Sequence, residues 1–280
     1  MKTGLLLFAL FVFVIVALLA AANSTWDAKT SEAIVRLESG ALAPPESTFA
    51  THQLEGLPDP VARYLRAVLH DGAALPFHAQ VRQEGTFRAD TARTDEWTFE
   101  AIQHYDTRPA GYVWDARMRM APGVDVFVRD ALVAGEGSMI GRVAGIFPVT
   151  EAHGKGEVAV ASLQRWLAES AWFPSALLPN QSVTWTAIDD STARATAVAD
   201  GVTASLDFHF GEDSLVAWVG TDARSRAVGD VMVATPWRGR WNVWRWQQGM
   251  RIPMSGEARW ELASGPFTYW RGSVVDVRYH

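Results

Sequence analysis

Most of the chain from Phe77 onward has a two-residue period, in which apolar and polar side chains alternate. In one such segment Ala258, Trp260 and Leu262 alternate with three charged residues. This pattern is typical of antiparallel strands that turn one face to a core and the other to water. Turn signals, of which Asp200-Gly201 is the strongest, separate about ten to twelve such segments. Because long antiparallel sheets twist and curl, we predict a mainly β (α+β) fold. It has one large curved antiparallel sheet, as a half-barrel or open barrel, with a few covering helices.

Two segments break this period and predict the covering helices. The first opens at Pro58-Asp59-Pro60 and runs to about Leu69, with proline in the first turn, where no backbone hydrogen bond is lost. The second is Glu157–Ala171, whose apolar residues follow a mixed helical spacing and which Pro174 follows.

The N-terminus carries an uninterrupted apolar run, Leu5–Ala22. As a helix it would span about 27 Å, close to the hydrocarbon thickness of a bilayer. Because Lys2 precedes the run and the flank after it has mixed charge, we expect a cytoplasmic N-terminus with the remainder outside. We favour an uncleaved, single-pass signal anchor. The small residues Ala20-Ala21-Ala22 keep open the alternative of a cleaved signal peptide and an exported product.

The chain accordingly divides into three parts. Residues 1–22 are the signal anchor or signal peptide, residues 23–56 a partly helical linker, and residues 57–280 a single β-rich domain. Within the linker, Ser31–Leu42 has near-helical spacing, and Pro44-Pro45 stops the helix.

Composition excludes several classes of function. The net charge is −6 and no basic stripe occurs, so we expect no nucleic-acid partner. The absence of cysteine rules out disulfides, thiolate metal sites and a cysteine nucleophile. The chain has 13 tryptophans, eight of them in the last 100 residues. Indoles are common in cores, in lipid or carbohydrate sites and near membrane interfaces.

Searches for catalytic motifs find little. The chain has no Gly-x-Ser-x-Gly nucleophile elbow and no dinucleotide-binding glycine motif within a βαβ unit. No histidine pair has i,i+2 or i,i+4 spacing, so a zinc site has no local scaffold. We therefore expect no metal site and no cofactor.

Three groups of residues remain as candidate sites, each with a structural alternative. The first is Asp115, Arg117 and Arg119, which lie on one face of a predicted strand. If that face is concave, the three charges would bind a lipid headgroup or a carboxylate, since arginine grips such groups with two hydrogen bonds. The alternative is an ordinary solvated face.

The other two groups lie at the end of the second helix and on the last strand. Glu169 stands beside Trp172 and Phe173, and burial there would raise its pKa and suit it for acid–base catalysis. A neighbouring arginine would instead make it structural. The last group comprises Tyr269, Trp270 and Arg271. It would either close a ligand pocket by stacking and an arginine fork, or pack arginine on indole for stability.

Four segments together resemble a bacterial family of uncharacterised exported or membrane-anchored proteins that share a domain of unknown function. They are Val113–Gly123, Val128–Ala131, Glu169–Pro179 and Tyr269–Gly272. The resemblance implies a bacterial source and a domain that runs from about Leu57 to the C-terminus. It brings no reaction, ligand or catalytic residue.

Three hypotheses about function follow. The first is an extracytoplasmic, membrane-tethered protein that binds a lipid or another apolar ligand in a concave apolar cavity on the order of several hundred Å³. The alternative is an envelope assembly or interaction protein without a ligand, with a filled core and an exposed apolar patch. The third, less supported, is an enzyme in which Glu169 converges with an arginine or with Asp115.

Overall fold

The computed structural model describes residues 2–44, 46–91, 95–179, 182–229 and 231–280. Its three α-helices in this part of the chain are α1 Lys2–Glu38, α2 Asp59–Val68 and α3 Glu157–Glu169. Short 3-10 turns span Thr51–Leu54, Ser170–Trp172 and Pro174–Leu177. The strands are β1 His78–Phe87, β2 Trp97–Asp106, β3 Gly111–Ala121, β4 Val124–Val133, β5 Glu136–Val143, β6 Phe147–Gly154, β7 Val183–Ala187, β8 Thr192–Ala199, β9 Val202–Phe210, β10 Val216–Val228, β11 Val231–Gln247, β12 Met250–Leu262 and β13 Gly265–Tyr279.

These strands form one antiparallel sheet of 13 strands that is not closed into a barrel. The order across it is β6-β5-β4-β3-β2-β1-β13-β12-β11-β10-β9-β8-β7. Consecutive strands pair throughout, except β6 and β7, which form the two edges. In the middle of the sheet β1 pairs with β13 and so joins the two halves. The predicted fold class is confirmed, and the strand count exceeds the predicted ten to twelve.

The sheet curls around α3, which contacts strands from both halves, β5 and β9 above all. The α3 side is therefore the concave face. Its centre is filled by large side chains that are almost completely buried, among them Tyr105, Trp166, Trp172 and Phe173. Tyr105 lies between two of these rings, stacked on Trp166 at 5.4 Å and on Phe173 at 3.8 Å between centroids. The protein's own aromatic residues thus occupy the centre of the concave face, where we expected a cavity.

The N-terminal helix α1 differs from the prediction. The helix predicted over Ser31–Leu42 is present as far as Glu38, but it is not separate, because it is the last part of one helix that continues unbroken from the apolar run. Neither glycine nor proline occurs between Leu5 and Glu38, so nothing interrupts the backbone hydrogen bonds. The helix ends at Glu38, two residues before Gly40. Of the predicted stop Pro44-Pro45, Pro45 lies outside the described residues.

The two parts of α1 have different surroundings. The apolar part is long and apolar enough to cross a membrane, and none of it is buried. The later part lies on the outer face of the sheet, where Trp26 and Leu37 are buried. Leu37 packs there with Val113 of β3 and Ala131 of β4.

Candidate functional site

A buried charged network joins α3 to the concave face. The Arg165 guanidinium donates from Nη1 to Asp130 Oδ2 at 2.7 Å and from Nε to Glu169 Oε1 at 2.8 Å. Gln103 Nε2 donates to Glu169 Oε2 at 2.7 Å, and the Tyr112 hydroxyl donates to Asp130 Oδ1 at 2.7 Å. Both oxygens of each carboxylate therefore accept a hydrogen bond.

Aromatic rings also enclose the guanidinium of Arg165. It lies 5.0 Å from the ring centroid of Tyr112 and 4.9 Å from that of Trp114, within cation–π range. Sequence analysis found Glu169 but missed Arg165. The signal was present, because residues four apart share one face of a helix.

Burial and neighbouring charges shift the pKa values of Glu169 and Arg165. Burial raises the pKa of Glu169, although Arg165 and Gln103 act in the opposite direction. Burial also works against the charge on Arg165, but the carboxylates of Glu169 and Asp130 outweigh it and hold the pKa of Arg165 above its usual value. Of the partners predicted for an enzymatic Glu169, the structure brings an arginine close, and Asp115 lies on the other face of the sheet.

A second group lies on the concave face at one end of the sheet, beside the β1–β2 and β12–β13 turns. Its half-buried aromatic residues, here called the rim cluster, are Phe87, Trp97, Trp260, Tyr269 and Trp270. Phe87 stands opposite both Trp97 and Trp270 on the neighbouring strands. Trp260 stacks on Tyr269 with 5.9 Å between centroids. The rim cluster is thus a partly exposed apolar surface that is continuous with the core.

The structure separates the predicted group on the last strand. Tyr269 and Trp270 both join the concave face, because a register shift opposite Ala258 leaves Tyr269 unpaired and interrupts the alternation. Arg271 lies on the outer face instead, paired with Glu96 at 3.0 Å and Glu257 at 3.7 Å.

Trp172 and Phe173, which we predicted as ligand contacts, are core residues. Each is 1% exposed. The Trp172 indole donates to the backbone oxygen of Pro253 at 2.9 Å, and Phe173 stacks on Tyr105. Their surfaces are therefore already covered by protein.

The group on β3 lies on the outer face, toward α1. The Trp26 indole donates to Asp115 Oδ1 at 2.8 Å, and Arg117 pairs with Asp27 at 3.1 Å. Arg119 pairs with an aspartate across the β3–β4 turn at 2.5 Å. Burial raises the pKa of Asp115. Two of the three charges therefore fasten α1 to the sheet.

Three potential metal ligands meet where α1 ends. These are Glu38, His78 and His104, here called the helix-end cluster, and their ligand atoms all lie within 4.8 Å of one another. Behind His78 lies Asp106, whose pKa is raised by burial; burial also lowers the pKa of His104. Local sequence spacing could not reveal the cluster, because the pairing of β1 with β2 brings the histidines together.

Two open grooves lie on the outer face. One of about 530 Å³ is lined by Trp218 and Arg240, and another of about 300 Å³ is lined by Glu257 and Arg271. Asn242 borders both. Charged and polar side chains contribute to both linings, so neither groove is the apolar cavity expected on the concave face.

Comparison with known proteins finds a family that matches the β-rich part of the chain. Residues 55–279 match the family described as "Family of unknown function (DUF6920)". No protein of curated function matches the chain. Among solved structures it is similar to a LolA superfamily protein from Nitrosomonas europaea, with 8% identity, 73% of this chain and 86% of that chain covered, and a TM-score of 0.37. It is also similar to a β-barrel-like protein of the domain of unknown function DUF1849 from Brucella abortus, with 11% identity, 74% and 99% covered, and a TM-score of 0.27.

Proposed function

We propose that this chain, which belongs to the DUF6920 family of unknown function, is a single-pass protein of the bacterial inner membrane that binds a lipid or another apolar molecule outside the cytoplasm. The path of α1 carries the proposal. Its apolar part continues without a break into a segment that packs on the sheet. A bilayer around Leu5–Ala22 would therefore lie close to the end of the sheet from which α1 departs.

By strand direction, the rim cluster lies along the same edge of the sheet. Ala22 packs beside Gly145 in the β5–β6 turn, where α1 leaves the sheet. In the antiparallel order, six turns follow the same edge: β5–β6, β3–β4, β1–β2, β12–β13, β10–β11 and β8–β9. We expect this edge, the rim, to face the membrane.

The rim carries the apolar side chains that such a position favours. Phe147, Val149 and Val231 are 65%, 56% and 60% exposed. These side chains are exposed to water, and a bilayer at the rim would cover them. The tryptophan and tyrosine side chains of the rim cluster suit the interfacial region of a bilayer.

The rim cluster defines where a ligand would lie. Phe99 stacks on Trp270 at 6.0 Å, and Trp172 lies 6.3 Å from the same ring, so the core is filled directly behind it. We therefore expect an acyl chain to lie across the rim cluster at the mouth of the half-barrel.

The test compares lipid retention among variants of the full chain. Each variant is released from membranes in mild detergent, supplied with phosphatidylethanolamine and phosphatidylglycerol, and weighed by native mass spectrometry. The apolar helix holds lipids by itself, so the informative quantity is the difference between variants that share this helix. Trp97→Ala with Trp260→Ala should lose bound lipid, and Trp218→Ala on the outer face should retain it. Equal retention in all variants would contradict a rim site.

One observation favours the alternative of an interaction protein without a ligand. The β10–β11 hairpin carries Val228, Val231, Met232 and Val233, all more than 40% exposed. A photo-reactive amino acid at Val231 distinguishes the two functions in intact membranes. Lipid adducts support the rim facing the bilayer, and adducts of one defined protein mass support a protein partner.

A further inference from the structure

The helix-end cluster has the geometry of a metal site. Glu38 Oε1 lies 3.3 Å from His78 Nε2 and 3.0 Å from His104 Nδ1. Zinc bonds of 2.0–2.1 Å in a tetrahedron place neighbouring ligand atoms about 3.3 Å apart. The two distances lie close to this value, and all three ligand atoms lie within 4.8 Å of one another.

Each imidazole offers the cluster one nitrogen while a second residue holds the other. His78 donates from Nδ1 to Asp106 Oδ1 at 2.6 Å, which directs the lone pair of Nε2 toward Glu38. The Gln80 side-chain amide lies 3.2 Å from His104 Nε2, and its oxygen can accept from that nitrogen once the amide is turned. Metal-binding histidines almost always have such outer partners, carboxylates in particular.

Asp106 supplies an independent observation. It is only 1% exposed, and its Oδ2 has no hydrogen-bond partner within the described part of the chain. A buried carboxylate of this kind is costly unless nearby positive charge compensates it. A cation bound to His78 would provide that charge one residue away.

The position of the cluster also favours a cation. Glu38 is the last residue of α1, where the helix dipole is negative and a carboxylate is unfavourable. His78 and His104 lie on β1 and β2. An ion bound by all three would therefore connect the end of α1 to the sheet.

We propose that Glu38, His78 and His104 bind a divalent transition-metal ion, preferentially zinc, which fastens the end of α1 to the sheet. Two imidazole nitrogens and one carboxylate oxygen form a ligand set that zinc accepts, with water in the fourth position. This site is separate from the rim cluster, and the proposal does not depend on lipid binding.

The test uses the full chain in mild detergent, without a polyhistidine tag, stripped with chelator and titrated with zinc or cobalt(II). We expect one zinc per chain by elemental analysis, and the intense visible absorption of tetrahedral cobalt. His78→Ala and His104→Ala should lose binding, and Asp106→Asn should weaken it about 10–100-fold. His209→Ala, a half-buried histidine outside the cluster, should bind as the wild type does.

Two results would overturn the proposal. Binding at less than one ion per chain, or binding unchanged in His78→Ala and His104→Ala, would exclude this site.

Glu38→Gln separates the fastening role from binding by the histidines alone. It should weaken zinc binding at least about tenfold and remove the zinc-dependent protection of residues 30–38 against hydrogen exchange. Unchanged affinity and protection would contradict the fastening role. Near-ultraviolet circular dichroism verifies that each variant is folded.

Discussion

Removal of the Arg165 guanidinium is the most direct test of the buried network, because two carboxylates depend on this single cation. The substitution Arg165→Met keeps an unbranched side chain of similar length and deletes only the charge and its donors. Asp130 then keeps the hydrogen bond from Tyr112, and Glu169 keeps the one from Gln103. Neither carboxylate keeps a neutralising partner within the network.

The size of the effect follows from the burial of these groups. The side chains of Asp130 and Glu169 are 9% and 10% exposed, so water replaces little of what Arg165 provides. Removing one partner from a buried ion pair costs about 3–5 kcal/mol. Burial already raises the pKa of Glu169, so protonation relieves part of this cost, and we expect about 3–4 kcal/mol at pH 7. At about 2–4 °C per kcal/mol, the melting temperature should fall by about 6–16 °C.

The assay is thermal unfolding of the full chain in mild detergent, followed by the near-ultraviolet dichroism of the buried indoles. Arg194→Met is the control, because this exposed arginine pairs with Asp207 at 2.7 Å and its removal should cost less than about 1 kcal/mol. Adding Glu169→Gln to Arg165→Met should recover about 1–2 kcal/mol, since it neutralises one unpaired carboxylate. If Arg165→Met and the control lowered stability equally, the network would not contribute as argued.

Three further predictions concern protonation, docking and the rim. Because burial raises the native pKa of Glu169 above its ordinary 4.5, ionisation of Glu169 should destabilise the wild type as the pH rises from 4.5 through that pKa. The free energy of unfolding of Glu169→Gln, measured in urea titrations, should therefore increase relative to that of the wild type over the same pH range. A difference that does not change with pH would contradict this. Trp26→Ala removes a buried indole and should speed hydrogen exchange in residues 26–38 at least tenfold, with the core strands unchanged. A Cβ at Gly272 would collide with the Trp270 ring, so Gly272→Ala should shift tryptophan emission and weaken lipid retention. The control is Gly156→Ala, which should do neither because the space around its Cβ position is open.

Sequence reasoning located the sheet but not all of its strands. Alternation identified segments such as Val202–Phe210, whose observed bounds agree with the prediction. It did not distinguish β5 and β6, because β5 contains two glycines and β6 is mostly exposed on both faces at the sheet edge. The unbroken course of α1 was missed as well. Its polarity changes at Asn23, but no glycine or proline breaks the helix there, and we took the change in polarity for the start of a partly helical linker.

The candidate sites were harder to predict, because they depend on contacts between distant segments. Glu169 was found from its apolar neighbours, and its burial agrees with the reason for choosing it. The same neighbours, Trp172 and Phe173, were assigned to a ligand, since periodicity cannot distinguish a ring in a core from a ring in a pocket. His78 and His104 have no local signal, because their proximity comes from strand register and from the point at which α1 ends.

The docking of α1 rests on few contacts, and this gives the helix-end cluster its significance. Trp26 and Leu37 are the buried large apolar side chains of the docked segment, and each contributes about 2–3 kcal/mol. The Arg129 guanidinium adds a cation–π contact to Trp26 at 4.7 Å. Ordering the segment offsets part of this gain. An ion that binds only the docked form, at a free concentration 100 times its dissociation constant, would add about 2.7 kcal/mol, a large fraction of the total. We therefore expect chelation to speed hydrogen exchange in residues 30–38 of the wild type, but not in His78→Ala.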